Sequence, residues 1–329
     1  MRAHRIAIIL ALVLVGSIAT RAHAQPAAAP AAPEPPPVLK FLTKWFQIRE
    51  AFDGGKGEST AAAIGLVAPG KDSPTYWLVD AGVRLTPQNL KLNTRGDFEL
   101  FYFPTMEWHH MSAEPLQKQD NTNKAGPAFN TELWFPPITD LKLRTYVTGK
   151  GSLQRNFIKD TTENSATFLL GMCAEAVVPT GAGWENGVRP CAELTYNGTR
   201  RSHYYPYVGF EHYGKLALTG SGTTIAPAFD GSLLLVRVQA DAFPFNVAKL
   251  PRDISGWVLN IDYTYRHALD DVPTLDSRDL NALKFSTTYF FVKGQVAGVG
   301  IDLAVGRMPE VNFVSQRRAV LAFRIKTKS

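Results

Sequence analysis

The sequence predicts an all-β protein: an antiparallel transmembrane β-barrel of about 12 strands, with about 14 as the neighbouring even count, behind a short N-terminal helix. Three observations carry this. Period-2 segments follow one another from Ser59 to Ser329, and many exceed the roughly 5–6 residues of a soluble-domain strand and approach the roughly 9–11 that cross a bilayer. The apolar parity mixes small side chains with large ones, which lipid accepts and a packed core does not. Aromatic residues such as Trp77, Trp108, Trp134, Trp257 and Tyr289 fall near candidate strand ends, where membrane interfaces would hold them.

The segment "GWVLNIDYTYRH" shows the pattern most clearly. Trp257, Leu259, Ile261, Tyr263 and Tyr265 share one parity, and Asn260, Asp262, Thr264 and Arg266 share the other. Successive side chains of a strand point to opposite faces, so one face is apolar and the other charged. A membrane barrel turns the apolar face outward. "TYWLVDAGVRLT" repeats the pattern, with Trp77, Val79, Ala81 and Val83 outward and Asp80 and Arg84 inward. In "LLLVRVQADAF", Leu234, Val236 and Val238 alternate with Leu235, Arg237, Gln239 and Asp241. Further strands are expected over Phe98–Met106, Ala128–Phe135, Leu141–Thr148, Ala166–Val178, Cys191–Tyr196, Tyr204–Leu218, Leu283–Phe291, Val296–Arg307 and Ala319–Lys326.

The N-terminus divides into three parts before the barrel, which is expected over 55–329. Residues 1–24 read as a secretory signal, with Arg2 and Arg5 ahead of an apolar run and Ala22-His23-Ala24 as the cleavage site. That run is shorter than the roughly 20 residues of a spanning helix. Residues 25–37, "QPAAAPAAPEPPP", are an extended linker. Residues 38–53 place Val38, Leu42, Trp45, Ile48 and Phe52 at helical spacing, predicting a short amphipathic helix. It could pack on its own domain, lie on the membrane surface, plug the lumen or dock a periplasmic protein. Losing the three arginines of the signal lowers the formal charge from +6 to +3, spread along the chain. Such a balance is no argument for nucleic acid.

The dyad repeat, the turn spacing and the final segment "RRAVLAFRIKTKS" resemble the bacterial outer-membrane β-barrel class, broadly porin-like. The resemblance covers Ser59 to Ser329 and implies residence in the outer membrane among its lipids. Members commonly finish on a terminal aromatic, whereas here Phe323 is followed by six further residues. Counting strands back from a periplasmic C-terminus makes "VKGQ" and "NGTRRS" periplasmic turns and "MPEVN" an outer loop. The count fails near "PPITD", Pro136 to Asp140, which indicates a strand missed or miscounted in the N-terminal half.

Chemistry-bearing residues are few. Cys173 and Cys191 flank a glycine-rich turn, and a hairpin pairing them would also set Glu175 opposite Arg189. An exported chain with two cysteines is expected to oxidise them to a disulfide, and neither a CxxC spacing nor a set of metal ligands accompanies them. His110 and Ser112 stand at i, i+2, the relation of base to nucleophile in outer-membrane lipid hydrolases, but without the Asn-Gly that follows in the phospholipases. No motif calls for a cofactor or a metal.

What remains is a line of inward charges. It comprises Asp80, Arg84, Lys142, Arg144, Glu175, Glu193, Arg237, Asp241, Asp262, Arg266, Asp302, Arg324 and Lys326. Such residues set ion preference in an open pore or pair across a narrow one and close it. The sequence thus predicts a small-solute or ion channel with a charged lumen. A lipid hydrolase using His110 and Ser112, or a plugged structural barrel, is the alternative.

Overall fold

Alternation decides which side of each strand is buried, and the hydrogen-bonded register decides how the strands close. The computed structural model describes residues 46–49, 62–69, 75–85, 88–91, 98–111, 123–136, 138, 143–157, 161–174, 179–181, 184–185, 194–196, 199–216, 230–244, 256–271, 275, 277–291, 297–307 and 315–325. Every regular element among these residues is a strand.

Twelve strands make the wall. They are β2 (Ala62–Pro69), β3 (Tyr76–Leu85), β5 (Glu99–Met111), β6 (Asn123–Trp134), β7 (Leu143–Asn156) and β8 (Thr161–Ala174). The other six are β12 (Thr199–Leu216), β13 (Gly231–Ala242), β14 (Trp257–Ala268), β15 (Asp279–Phe290), β16 (Ala297–Arg307) and β17 (Ser315–Ile325). Each pairs antiparallel with the next, and β17 returns to β2 from Ile325↔Ala62 to Arg318↔Pro69. The wall therefore closes without a free edge. Helices apart, only such a closed sheet satisfies every backbone group in hydrocarbon.

Five short strands lie at the end of the barrel that holds the start of β2 and the finish of β17, here the terminal end. Strand β1 (Phe46–Arg49) pairs with Gly82–Leu85 of β3, beyond the stretch that β2 occupies. Strand β4 (Gln88–Lys91) pairs with the first residues of β5. Strands β9 (Pro179–Gly181), β10 (Trp184–Glu185) and β11 (Leu194–Tyr196) decorate the connection from β8 to β12.

The polarity of the wall is inverted relative to a soluble fold. On β14, Val258, Thr264, Arg266 and Ala268 are buried, whereas Tyr263 on the other parity is exposed. Strand β13 buries Leu233, Leu235, Gln239 and Asp241 and exposes Leu234, Val236 and Val238. Strand β16 exposes Val299, Ile301, Leu303 and Val305 and buries Asp302 and Ala304. Trp77 at 58% and Leu321 at 55% exposure continue this apolar exterior. Water would penalise such a surface; lipid would not.

Four details differ from the sequence-based expectation. Ala62–Pro69, "AAIGLVAP", is a wall strand that the pattern reading passed over, because its inward side chains, Ala63, Gly65 and Val67, are small and uncharged. Cys191–Tyr196 is no wall strand: β8 pairs directly with β12, and the described part of the segment, Leu194–Tyr196, is the short strand β11. The two differences cancel in the count. With β2 restored, the turn around Pro136 falls at the terminal end, which resolves the failed loop assignment. Within the helix expected over 38–53, Phe46–Arg49 instead pair as a strand with the edge that β3 offers; the rest of that segment, like the expected signal and linker, lies outside the described residues.

Candidate functional site

The inner face of β3, β5 and β7 carries a connected polar cluster. Thr105, Glu107 and His109 share the inward parity of β5, and His109 stands opposite Asp80 of β3. The His109 Nδ1 lies 2.5 Å from Asp80 Oδ1, and its Nε2 lies 3.8 Å from Glu107 Oε2. Glu107, only 1% exposed, accepts hydrogen bonds from Lys150 Nζ at 2.7 and 2.8 Å and from Gln154 Nε2 at 3.2 Å. Between β5 and β7 runs β6, which presents Gly126 opposite Glu107. A Cβ at Gly126 would stand 2.0 Å from the Leu153 carbonyl oxygen, so the glycine allows the β7 backbone to close in beside it. A buried carboxylate without such partners would carry a large desolvation cost.

Strands β12 to β17 carry a second set. Arg237 Nε donates to Asp262 Oδ1 at 2.9 Å, and Gln239 Nε2 donates to Asp262 Oδ2 at 3.1 Å. Arg266 Nε reaches Glu211 Oε2 at 2.6 Å across β13. Asp241 is paired with His203 Nε2 at 2.6 Å and accepts from Asn260 Nδ2 at 2.7 Å. Asp302 is bridged by Arg324, with Lys284 Nζ at 3.8 Å. Arg324 crosses Gly300 to get there: a Cβ at that glycine would stand 2.7 Å from Arg324 Nε.

A third part of the interior is apolar. Tyr146, Leu169, Cys173, Tyr207 and Leu235 form one buried cluster, with Trp134 packed against it. Trp134 stacks on Tyr146 at 4.7 Å between ring centroids, under Arg144 at 5.3 Å. Trp134 therefore faces inward, not the membrane interface, because it shares the parity of Asn130 and Glu132.

The inward residues named from sequence are thus placed unevenly. Asp80, Arg144, Arg237, Asp241, Asp262, Arg266, Asp302 and Arg324 all stand on the inner face, each with a partner. Arg144 Nε donates to the Phe135 carbonyl at 2.7 Å, with Glu99 at 3.6 Å. The backbone of Arg84 belongs to β3, but its side chain is outside the description; Lys142, Glu175, Glu193, Lys326, Cys191 and Ser112 lie outside the described residues altogether. His110 stands on the outer parity of β5, its ring 6.3 Å from that of Trp108. Sequence reading missed Glu107, His109, Lys150, Glu211 and Lys284. The parity of "TMEWHH" already separates Glu107 and His109 from Trp108 and His110. The serine two residues beyond His110 drew attention to the outward histidine.

A closed antiparallel wall, apolar outside and charged inside, defines the class: this is a β-barrel of the membrane-spanning type. No family model matches the chain. No curated relative matches it either. Among solved structures it is similar to the β domain of the Bordetella autotransporter BrkA, at 7% identity over 85% of this chain and 98% of that one, with a TM-score of 0.32. It is also similar to Acinetobacter baumannii OccAB1, at 10% identity over 79% of this chain and 71% of that one, TM-score 0.30. A third is Pseudomonas aeruginosa OccK5 (OpdH), at 9% identity over 86% and 98%, TM-score 0.27. The class assignment stands on the strand register and the inverted polarity, not on these likenesses.

Proposed function

We propose that the protein is an outer-membrane conduit for small charged solutes or ions, narrow and lined by paired charges. The observation that carries this is the partial exposure of charged side chains on two walls half a circuit apart. On one wall His109 and Asp80 are 20% and 15% exposed; on the other, Arg237 and Asp262 are 13% and 17% exposed. Side chains buried wholly in packing would line no path. Acid and base are nearly balanced there, so the field in the lumen is weak and screened by salt. Purified protein in planar bilayers is expected to conduct, with a reversal potential in a salt gradient showing weak anion preference that fades as salt rises. Absence of conductance from correctly assembled protein would remove the conduit.

The plugged structural barrel is favoured by a different observation, the full burial of Arg324 and of the Tyr146 cluster, and the same recording separates the two readings. The hydrolase reading depends on Ser112, and lipid release by wild type against Ser112→Ala tests it.

A disulfide between Cys173 and Cys191 belongs to this proposal as well. Cys173 is buried on the inner face near the terminal end of β8, where the connection to β12 begins. The link would restrain that connection, adding on the order of 3 kcal/mol. Intact mass after thiol alkylation should show no modified cysteine without reductant; two alkylated thiols in envelope-derived protein would refute it.

A further inference from the structure

The outward parity of β8, β12 and β13 is apolar along most of its length. Phe168, Leu170, Val208, Leu234 and Val236 are all exposed on it. At the end of the wall opposite the terminal one, the same parity turns polar. His212 of β12 stands directly opposite Ser232 of β13, and on the other side of β12 Gly214 stands opposite Asn164 of β8. Three polar side chains from three adjacent strands therefore gather where the apolar exterior gives way to the connecting loops.

Their geometry is that of a nucleophile and its base. Ser232 Oγ lies 3.1 Å from His212 Nδ1. The serine is fixed through its own backbone: its N–H donates to Asp270 Oδ2 at 2.8 Å, and its carbonyl accepts from Leu269 N at 2.9 Å. A Cβ at Gly214 would stand 2.6 Å from Asn164 Oδ1 and 3.4 Å from His212 Nε2, so both atoms border the space that the glycine leaves open. Asn164 Oδ1 is buried and has no hydrogen-bond partner among the described residues. An amide oxygen can only accept. An acceptor beside Nε2 favours the imidazole tautomer that carries its proton there, which leaves Nδ1 to accept from the Ser232 hydroxyl. A serine and a histidine paired across strands for packing alone would have no use for a buried amide oxygen aimed past a glycine.

We propose that Ser232, His212 and Asn164 form an ester-hydrolase site on the lipid-facing side of the wall, with Ser232 as nucleophile, His212 as general base and Asn164 positioning the imidazole. The substrate class is a carboxylic ester of a long-chain acyl lipid, because the hydroxyl sits at the head of the apolar strip along which an acyl chain would lie. Ser232 Oγ bonds to the ester carbonyl carbon, and its proton passes to His212 Nδ1. The carbon–oxygen bond to the alcohol then breaks, and the alcohol leaves with that proton. Water attacks the acyl-serine next, giving a proton to His212, and the serine oxygen recovers that proton as the fatty acid departs. The site depends on the lipid-facing parity of the barrel and not on an open lumen, and it uses neither His110 nor Ser112.

The test uses the full chain purified in neutral detergent, with diacyl phosphatidylethanolamine in mixed micelles as substrate and an alkyl fluorophosphonate as active-serine probe. Wild type should release fatty acid, and peptide mass should place the phosphonyl group on Ser232. Ser232→Ala and His212→Gln, each first shown to be heat-modifiable, should lose release by about a thousandfold or more. Asn164→Ala should lose about tenfold or more, and Asn164→Asp, which keeps an acceptor oxygen, should recover most of that loss, a rescue that a merely structural asparagine would not show. Ser277→Ala, at an exposed loop serine between β14 and β15, should act as wild type does. No release from assembled wild type, phosphonylation of a different serine, or undiminished release by Ser232→Ala overturns the site. Conductance in planar bilayers does not depend on Ser232, so failure of this site and failure of the conduit are read separately.

Discussion

Ile261→Arg will fail to assemble at wild-type yield, and the neighbouring Asp262→Asn will assemble. Ile261 lies midway along β14 on the lipid-facing parity, paired with Ala240 of β13 and Phe285 of β15. A guanidinium there enters hydrocarbon at mid-membrane, at a cost of about 2–4 kcal/mol. Asp262 points the other way, and its amide replacement keeps an oxygen for Arg237 and for Gln239. The measurement is the fraction of each variant that migrates as a folded, heat-modifiable species after refolding into micelles. The reverse ranking would mean that the apolar parity is a packed core and that the wall is inside out.

Glu211→Ala will destabilise the assembled barrel by about 3–5 kcal/mol, because it strips the carboxylate from a buried guanidinium. Arg266 and Glu211 are both nearly inaccessible and meet through two hydrogen bonds, at 2.6 and 3.2 Å. Removing one partner leaves the other charged and unsolvated, whereas replacing both by methionine removes the imbalance with it. The Glu211→Met/Arg266→Met protein is therefore expected to recover most of the loss. Denaturant unfolding of the three variants in one detergent decides the matter; a double variant no better than the single would show that the pair contributes through packing alone. By contrast, Arg278 with Asp271 is an exposed loop pair, and breaking it should change stability by about 1 kcal/mol or less.

The barrel was legible in the sequence wherever alternation was strong. Strands such as "LLLVRVQADAF" and "GWVLNIDYTYRH" announce both their length and their facing, and their inward residues Arg237, Asp241, Asp262 and Arg266 lie where parity puts them. Alternation fails in "AAIGLVAP", whose two faces differ in size and not in polarity, so the strand that completes the ring went unseen. The same weakness admitted Cys191–Tyr196 as a wall strand, although Leu194–Tyr196 pairs only with the short β10 and the first residues of β12.

Partners were less legible than faces. The pairing of Asp262 with Arg237 joins neighbouring strands and could be guessed from two adjacent segments. Glu211 with Arg266, and Glu107 with Lys150, each span an intervening strand. Their recognition requires the register of three strands at once, which no single segment encodes. Trp134 illustrates the same limit: aromatic residues near strand ends suggest an interface, but its parity turns it into the interior beside Tyr146.

The seam between β2 and β17 joins the first wall strand of the chain to the last. Ring closure therefore waits for the C-terminal strand: every wall pairing except β16–β17 and β17–β2 can form while that segment is still absent. Until Ser315–Ile325 docks, β2 and β16 each expose an unpaired edge, the kind of surface on which a second chain can add a strand. Closing the ring also carries the largest loop entropy in the molecule, since it brings together segments separated by nearly its whole length. The final eleven-residue strand is thus the kinetic gate of biogenesis, and a chain truncated before Ser315 would be trapped as an open, aggregation-prone sheet regardless of how well its other strands are made.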